Sequence, residues 1–207
     1  MAHEDRIAKV FSTIFHPLII PTLGIFLLFQ LNTYVNFSLS SEARRFIMLI
    51  VFINTALIPV ISVLILKRAG YIKDLLLEER SERIFPLLIA AVMFFMTYYL
   101  LRQITLPTLV YYYVMGGTLL VLMTLIISFS WKISIHMVSL GGLTGFLMTS
   151  SLLLRLDISL LIALAFLASG LTGASRLQLK AHTPAQVYTG YLLGVGVMLV
   201  LFVYLRS

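Results

Sequence analysis

The stretch Ser175-Arg176-Leu177-Gln178-Leu179-Lys180-Ala181-His182-Thr183-Pro184-Ala185-Gln186 is a short basic break between two long apolar runs. Its second half reads as a helix start. Thr183 stands where an N-cap belongs, and Pro184 fills the first helical position, where its missing N–H costs nothing. Gln186 follows Thr183 by three residues, the spacing of a capping box. A helix N-terminus offers unsatisfied N–H groups and a partial positive charge, which suit an anion. Arg176 adds a guanidinium fork that matches phosphate oxygens. His182 stands immediately before the helix start.

The rest of the chain explains why such a break is a surface segment. Of 207 residues, 60% are hydrophobic and only 11% charged, and the mean hydropathy is +1.04. A soluble domain cannot hide that much apolar surface, so the composition predicts an all-α, multi-pass transmembrane bundle, a single membrane domain over residues 1–207. Candidate spans are His16–Phe37, Phe46–Leu66, Ile84–Leu101, Leu109–Ser130, Ile133–Leu154, Ile158–Ala174 and Ala185–Leu205, about seven in all. The first is expected to be a retained helix rather than a cleaved signal, since no small-residue cleavage site follows it. Arg155-Leu156-Asp157 should be a tight turn joining two antiparallel helices. Gly141, Gly142 and Gly145, and again Gly190, Gly194 and Gly196, have the small-residue spacing of closely packed membrane helices. The chain has no cysteine, which excludes disulfides, thiolate metal sites and cysteine nucleophiles. No basic run interleaved with polar aromatics marks a nucleic-acid surface.

Counting crossings from Met1, three polar segments return to one face of the membrane: Lys67–Arg83, Trp131–Ser134 and Ser175–Thr183. That face holds ten of the fifteen Lys and Arg residues. The positive-inside bias then predicts that the N-terminus and this face are cytoplasmic, in a bacterial inner membrane. Discounting the basic residues of the candidate site nearly removes that bias.

Few residues carry chemistry. His136, at the start of the fifth span, and His182 lie at the ends of spans on the same face. Ionisable groups at membrane depth tend to mark sites or pathways. Taken alone, His136 equally suits a helix-end histidine bonded to a neighbouring helix or to headgroups, and His182 a surface histidine. His3 lies in the tail and His16 at the mouth of the first span, and neither position suggests a role. The segment Lys73–Pro86 is the most charged. It suits an amphipathic juxtamembrane helix with an i,i+4 pair between Glu79 and Arg83, or a source of inward cations at Lys73, Arg80 or Arg83.

Taken together, these residues resemble the integral-membrane type 2 phosphatidic acid phosphatases. The last block of that family is Ser-Arg, five residues, His, three residues, Asp. Ser175-Arg176, His182 and Gln186 match it except at the final position. The middle block is Pro-Ser-Gly-His, and Ile133-Ser134-Ile135-His136 keeps the serine and the histidine. The first block is Lys, six residues, Arg-Pro. Lys73 and Arg80 keep the spacing but Ser81 replaces the proline, and a second register uses Arg83 with Pro86. The resemblance covers about the last two-thirds of the chain. It departs from the family in placing two spans between the first and middle blocks.

The resemblance implies a six-helix core and a metal-independent phosphatase without cofactors, acting on a lipid phosphate or an isoprenoid phosphate or diphosphate that enters laterally. It implies that His182 attacks phosphorus and forms a phosphohistidine, and that His136 protonates the leaving oxygen. Arg176, Ser134 and Lys73 with Arg80 or Arg83 would hold the phosphoryl oxygens. Ser175 belongs to the motif without a clear role. Gln186 stands where the family's aspartate orients the nucleophile; its amide oxygen can orient but brings no charge. Two rivals remain: a degenerate relative that binds anionic headgroups without turnover, and an unrelated transporter. The transporter fits least, because no acidic residue lies inside any span.

Overall fold

The computed structural model describes residues 2–31, 33–74, 77 and 79–204. Glu78 of the charged segment, Arg206 and the end of the last expected span at Leu205 lie outside them. Among the described residues every regular element is helical. In chain order these are α1 (Ala2–Ile14), α2 (Ile20–Gln30), α3 (Tyr34–Phe37), α4 (Ser41–Phe52), α5 (Ile58–Arg68), α6 (Ile84–Arg102), α7 (Thr108–Ser128), α8 (Ile135–Leu154), α9 (Ser159–Gln178) and α10 (Pro184–Tyr204). A π turn, Ile53–Leu57, joins α4 to α5, so Ser41–Arg68 is one long helical segment.

Among the described residues six segments are long and apolar enough to cross a membrane, which makes the chain a multi-pass membrane protein. The expected first span, His16–Phe37, is not one continuous helix. Only Ile20–Gln30 of it forms one apolar helix, and 11 residues rise about 16 Å, roughly half the hydrocarbon thickness. Hydropathy counts apolar residues but does not see where the helix stops. Here Thr33 starts a new short helix by accepting the Val35 N–H at 3.2 Å.

Residue contacts divide the chain into two compact units, Met1–Ile20 with Lys132–Ser207, and Pro21–Trp131. In the first unit α8 and α10 lie backbone to backbone. A Cβ on Gly194 would stand 2.3 Å from the Val138 carbonyl oxygen, and one on Gly141 would stand 2.2 Å from that of Tyr191. Only glycine permits that approach, and in lipid such van der Waals contact is what holds helices together. α9 follows α8 through a turn in which Arg155 takes a left-handed conformation. The Asp157 carboxylate accepts the Ser159 N–H and hydroxyl at 3.1 and 2.7 Å, which caps α9 and holds that carboxyl below its usual range. α1 packs on α9 with small residues inward, Ala8 and Ser12, while Ile7, Val10 and Ile14 stay exposed on its other side. An amphipathic helix of that kind has the pattern that suits a membrane interface.

In the second unit the π turn has a local cause. Pro59 has no N–H to give the Thr55 carbonyl and its ring crowds that carbonyl, so the helix widens there. Tyr113 of α7 fills the space above Gly24 of α2. The charged segment is not a helix over its described residues until a 3-10 turn at Ser81–Arg83.

Candidate functional site

The site is built at one end of the first unit, where α8 and α10 begin and α9 ends. Three contacts fix it. The Ser134 N–H donates to the Gln186 carbonyl at 3.3 Å, joining the starts of α8 and α10. Gly190 lies over that junction, where a Cβ would come 2.9 Å from the Ser134 carbonyl oxygen. α9 closes with Lys180 in the left-handed conformation and the Ala181 N–H on the Arg176 carbonyl at 3.1 Å. That reversal is a Schellman-type end, and it brings the chain back so that His182 lands at the start of α10.

The last block works as one hydrogen-bonded ring. Gln186 Oε1 accepts from His182 Nδ1 at 3.0 Å and from the Thr183 N–H at 3.2 Å, while the Gln186 N–H donates to Thr183 Oγ1 at 3.4 Å. The capping box and the orientation of the histidine are therefore one arrangement. With the hydrogen on Nδ1, the lone pair of the neutral His182 ring is on Nε2.

His136 is held differently. Its Nε2 donates to the main-chain carbonyl of Ser12 in α1 at 3.1 Å, so Nδ1 is the nitrogen able to exchange a proton with a ligand. His16 stands edge-on to His136, with ring centroids 5.5 Å apart and planes at 79°. The Leu18 N–H points at His16 Nδ1 at 3.4 Å, which leaves the ring hydrogen on Nε2. Burial, and after it the Arg176 charge, holds His16 below the ordinary imidazole range. Arg176 and His182 both lie within electrostatic reach of His136.

Several polar groups here have no partner among the described residues. Arg176 is half-buried, and its Nε makes no hydrogen bond. Ser134 is fully buried at the N-cap of α8, yet its hydroxyl caps nothing. The buried Ser12 hydroxyl is likewise unpaired among the described residues. Orphan buried donors are costly unless something else satisfies them. Ser175 differs: its hydroxyl is spent on the Leu171 carbonyl at 2.7 Å, one turn back in α9.

Ser134, His136, Ser175, Arg176, His182 and Gln186 thus all lie in one unit, at one end of its three long helices. Lys73, Arg80 and Arg83 belong to the second unit, where each is engaged locally. Lys73 Nζ pairs with Glu79 at 2.7 Å, which raises its pKa, and its N–H donates to the buried Glu82 at 2.8 Å. Arg80 donates to the Ser130 carbonyl, and Arg83 Nε to the Leu77 carbonyl at 2.9 Å. Sequence reasoning passed over Ser12 and His16. Their signal was a polar pair one helical turn apart beside an apolar run, and nothing local names His136 as the partner.

No protein-family model, no curated protein and no solved structure matches the chain. What the site can do follows from its own groups: a histidine with an oriented lone pair, a second histidine with one exchangeable nitrogen, and a guanidinium with no carboxylate partner among the described residues.

Proposed function

We propose that this protein is a membrane phosphatase that hydrolyses a lipid or isoprenoid phosphate or diphosphate through a phosphohistidine. The observation that carries the reading is the His182 Nδ1–H bond to Gln186 at the start of α10, beside Arg176 with its unsatisfied Nε. His182 Nε2 attacks phosphorus and forms the P–N bond. The P–O bond to the lipid breaks, and the leaving oxygen takes a proton from Nδ1 of His136, whose doubly protonated form the negative charge of the bound substrate stabilises. Water then attacks the phosphohistidine, His136 Nδ1 takes back a proton, the P–N bond breaks and phosphate leaves. Arg176 and the Ser134 hydroxyl stabilise the phosphoryl oxygens as charge develops. The second reading, headgroup binding without turnover, is favoured by one observation, the neutral amide where a carboxylate would support the histidine cation.

The deciding experiment is phosphate release by purified protein from a panel of lipid and isoprenoid phosphates, with and without vanadate. We expect vanadate-sensitive release that His182→Ala abolishes in a folded protein. Release that survives His182→Ala refutes the nucleophile, and binding without release supports the second reading. Following the Lys and Arg bias, we place the site on the cytoplasmic face. A single cysteine at the exposed Lys180 should then resist an impermeant label in intact cells, and ready labelling reverses the orientation.

A further inference from the structure

The N-terminal segment contributes more to the site than a roof. Its helix α1 lies against α9 and presents Ser12 to His136, and the turn after it delivers His16 to the same ring. Three buried polar atoms without partners among the described residues come from three different elements around this histidine pair: Ser12 Oγ from α1, Ser134 Oγ from the start of α8, and Arg176 Nε from α9. Among the described residues, the charged and titratable groups set against His16 are His136 from α8 and Arg176 from α9. Neither is an acid, and the Leu18 N–H occupies His16 Nδ1. A ring in that setting presents an N–H from Nε2 and has a cation, not an anion, as its electrostatic neighbour. An anion is what would let Arg176 and two imidazoles share one site.

We propose that the N-terminal segment is a working wall of this anion site: His16, through Nε2, and the Ser12 hydroxyl donate to a bound phosphoryl group, and the Ser12 carbonyl is the positioning group for His136. The inference rests on the phosphatase reading only for the identity of the anion. Its consequence is that the site is complete only with α1 docked. A phosphomonoester headgroup at the membrane surface is then gripped from α1 as well as from the helix ends.

The chain has four histidines, His3, His16, His136 and His182, so nitrogen-15 labelling of histidine alone gives a readable NMR spectrum of the purified protein. The probe is inorganic phosphate. At saturation it should move the nitrogen signals of both His16 and His182. His16→Ala should weaken phosphate binding about tenfold or more, the loss of one charge-assisted bond. His16→Gln, whose amide N–H falls near the Nε2 position, should recover most of it. His16 signals that stay fixed while phosphate moves those of His182 overturn the inference and leave the phosphatase reading standing. That outcome is read on the unaltered protein, so poor folding of a variant cannot hide it. Histidines that all ignore phosphate overturn both. Phosphate binding through His16 without hydrolysis of any lipid phosphate supports this inference and sinks only the catalytic one.

Discussion

Gln186→Glu is the sharpest perturbation of the site. Glutamate is isosteric with glutamine, so one oxygen can keep the place now 3.0 Å from His182 Nδ1 and 3.2 Å from the Thr183 N–H. What changes is one negative charge. A neutral hydrogen bond contributes about 1 kcal/mol net, and one to a charged group about 1.5–3 kcal/mol. The difference, about 0.5–2 kcal/mol, would be realised, in the proposed mechanism, when attack on phosphorus places positive charge on the His182 ring. Stabilisation confined to the transition state raises kcat, here about tenfold. The same carboxylate repels the substrate phosphate both before and during reaction, and that uniform cost appears in KM. Aspartate, one methylene shorter, should gain less than glutamate because it falls short of Nδ1.

Gln186→Ala removes both side-chain bonds and leaves the main-chain bond from Ser134. It should lower kcat, and the lost cap should cost about 1 kcal/mol of stability. The assay is kcat and KM on a short-chain soluble lipid phosphate, with thermal unfolding in detergent alongside. If the Gln186→Glu and Gln186→Ala enzymes both turn over like the parent, and the alanine variant only unfolds earlier, Gln186 is a helix cap and the reasoning about the nucleophile fails.

Three further outcomes follow from the geometry. Gly194→Ala drives a Cβ into the backbone of Val138, Gly142 and Gly141 and should cost about 3 kcal/mol, whereas Gly196→Ala, with nothing within 4 Å, should be neutral or stabilising; equal melting temperatures would refute the α8–α10 contact. Lys180→Gly relieves a left-handed backbone at φ 51° and should stabilise by about 1 kcal/mol in a thermal melt; a loss instead would mean the lysine side chain holds the turn. His16 sits below its ordinary value of 6.5, so the unfolded chain takes up the proton more readily. Stability is present above that value and lost as pH falls below it, and the melting temperature of the parent should drop more steeply than that of His16→Gln between about pH 7 and about pH 5.

Much of this was legible because it is local. Unbroken apolar runs give the six long helices, and Thr183, Pro184 and Gln186 at their spacings give the start of α10. The glycines of α8 and α10 announced a close contact, though Gly196 proves to face open space. What failed was non-local or depended on helix continuity. The run from His16 to Phe37 is apolar enough for a span, but the helix ends at Gln30 and restarts at Thr33. The π turn had its cause in view at Pro59, yet whether a proline kinks, ends or widens a helix is decided by the packing around it. His16 could not be recognised because its partner His136 is far along the chain, and no periodicity links a residue between α1 and α2 to the start of a distant helix.

The shared acceptor at Gln186 ties chemistry to packing in a way that sequence spacing alone does not show. Capping and orienting the histidine look like competing uses of one short side chain. They coincide because the third helical position lies over both the N-cap N–H and the residue before the cap, so one oxygen reaches both. The first turn of α10 must therefore stay wound for His182 to keep its hydrogen on Nδ1. That turn is held in its place by the Ser134 N–H on the Gln186 carbonyl and by the bare backbone of Gly190 against Ser134. The start of α8 that makes those contacts also carries His136 two residues on, and His136 is in turn held by α1. A disturbance of the α8–α10 junction should thus alter both histidines together, and it should do so before the bundle melts. In the labelled protein, a Gly190→Ala variant should shift the nitrogen signals of His136 and His182 jointly at temperatures well below unfolding. A shift of one without the other would show that the two rings are held independently, and that the junction is packing alone.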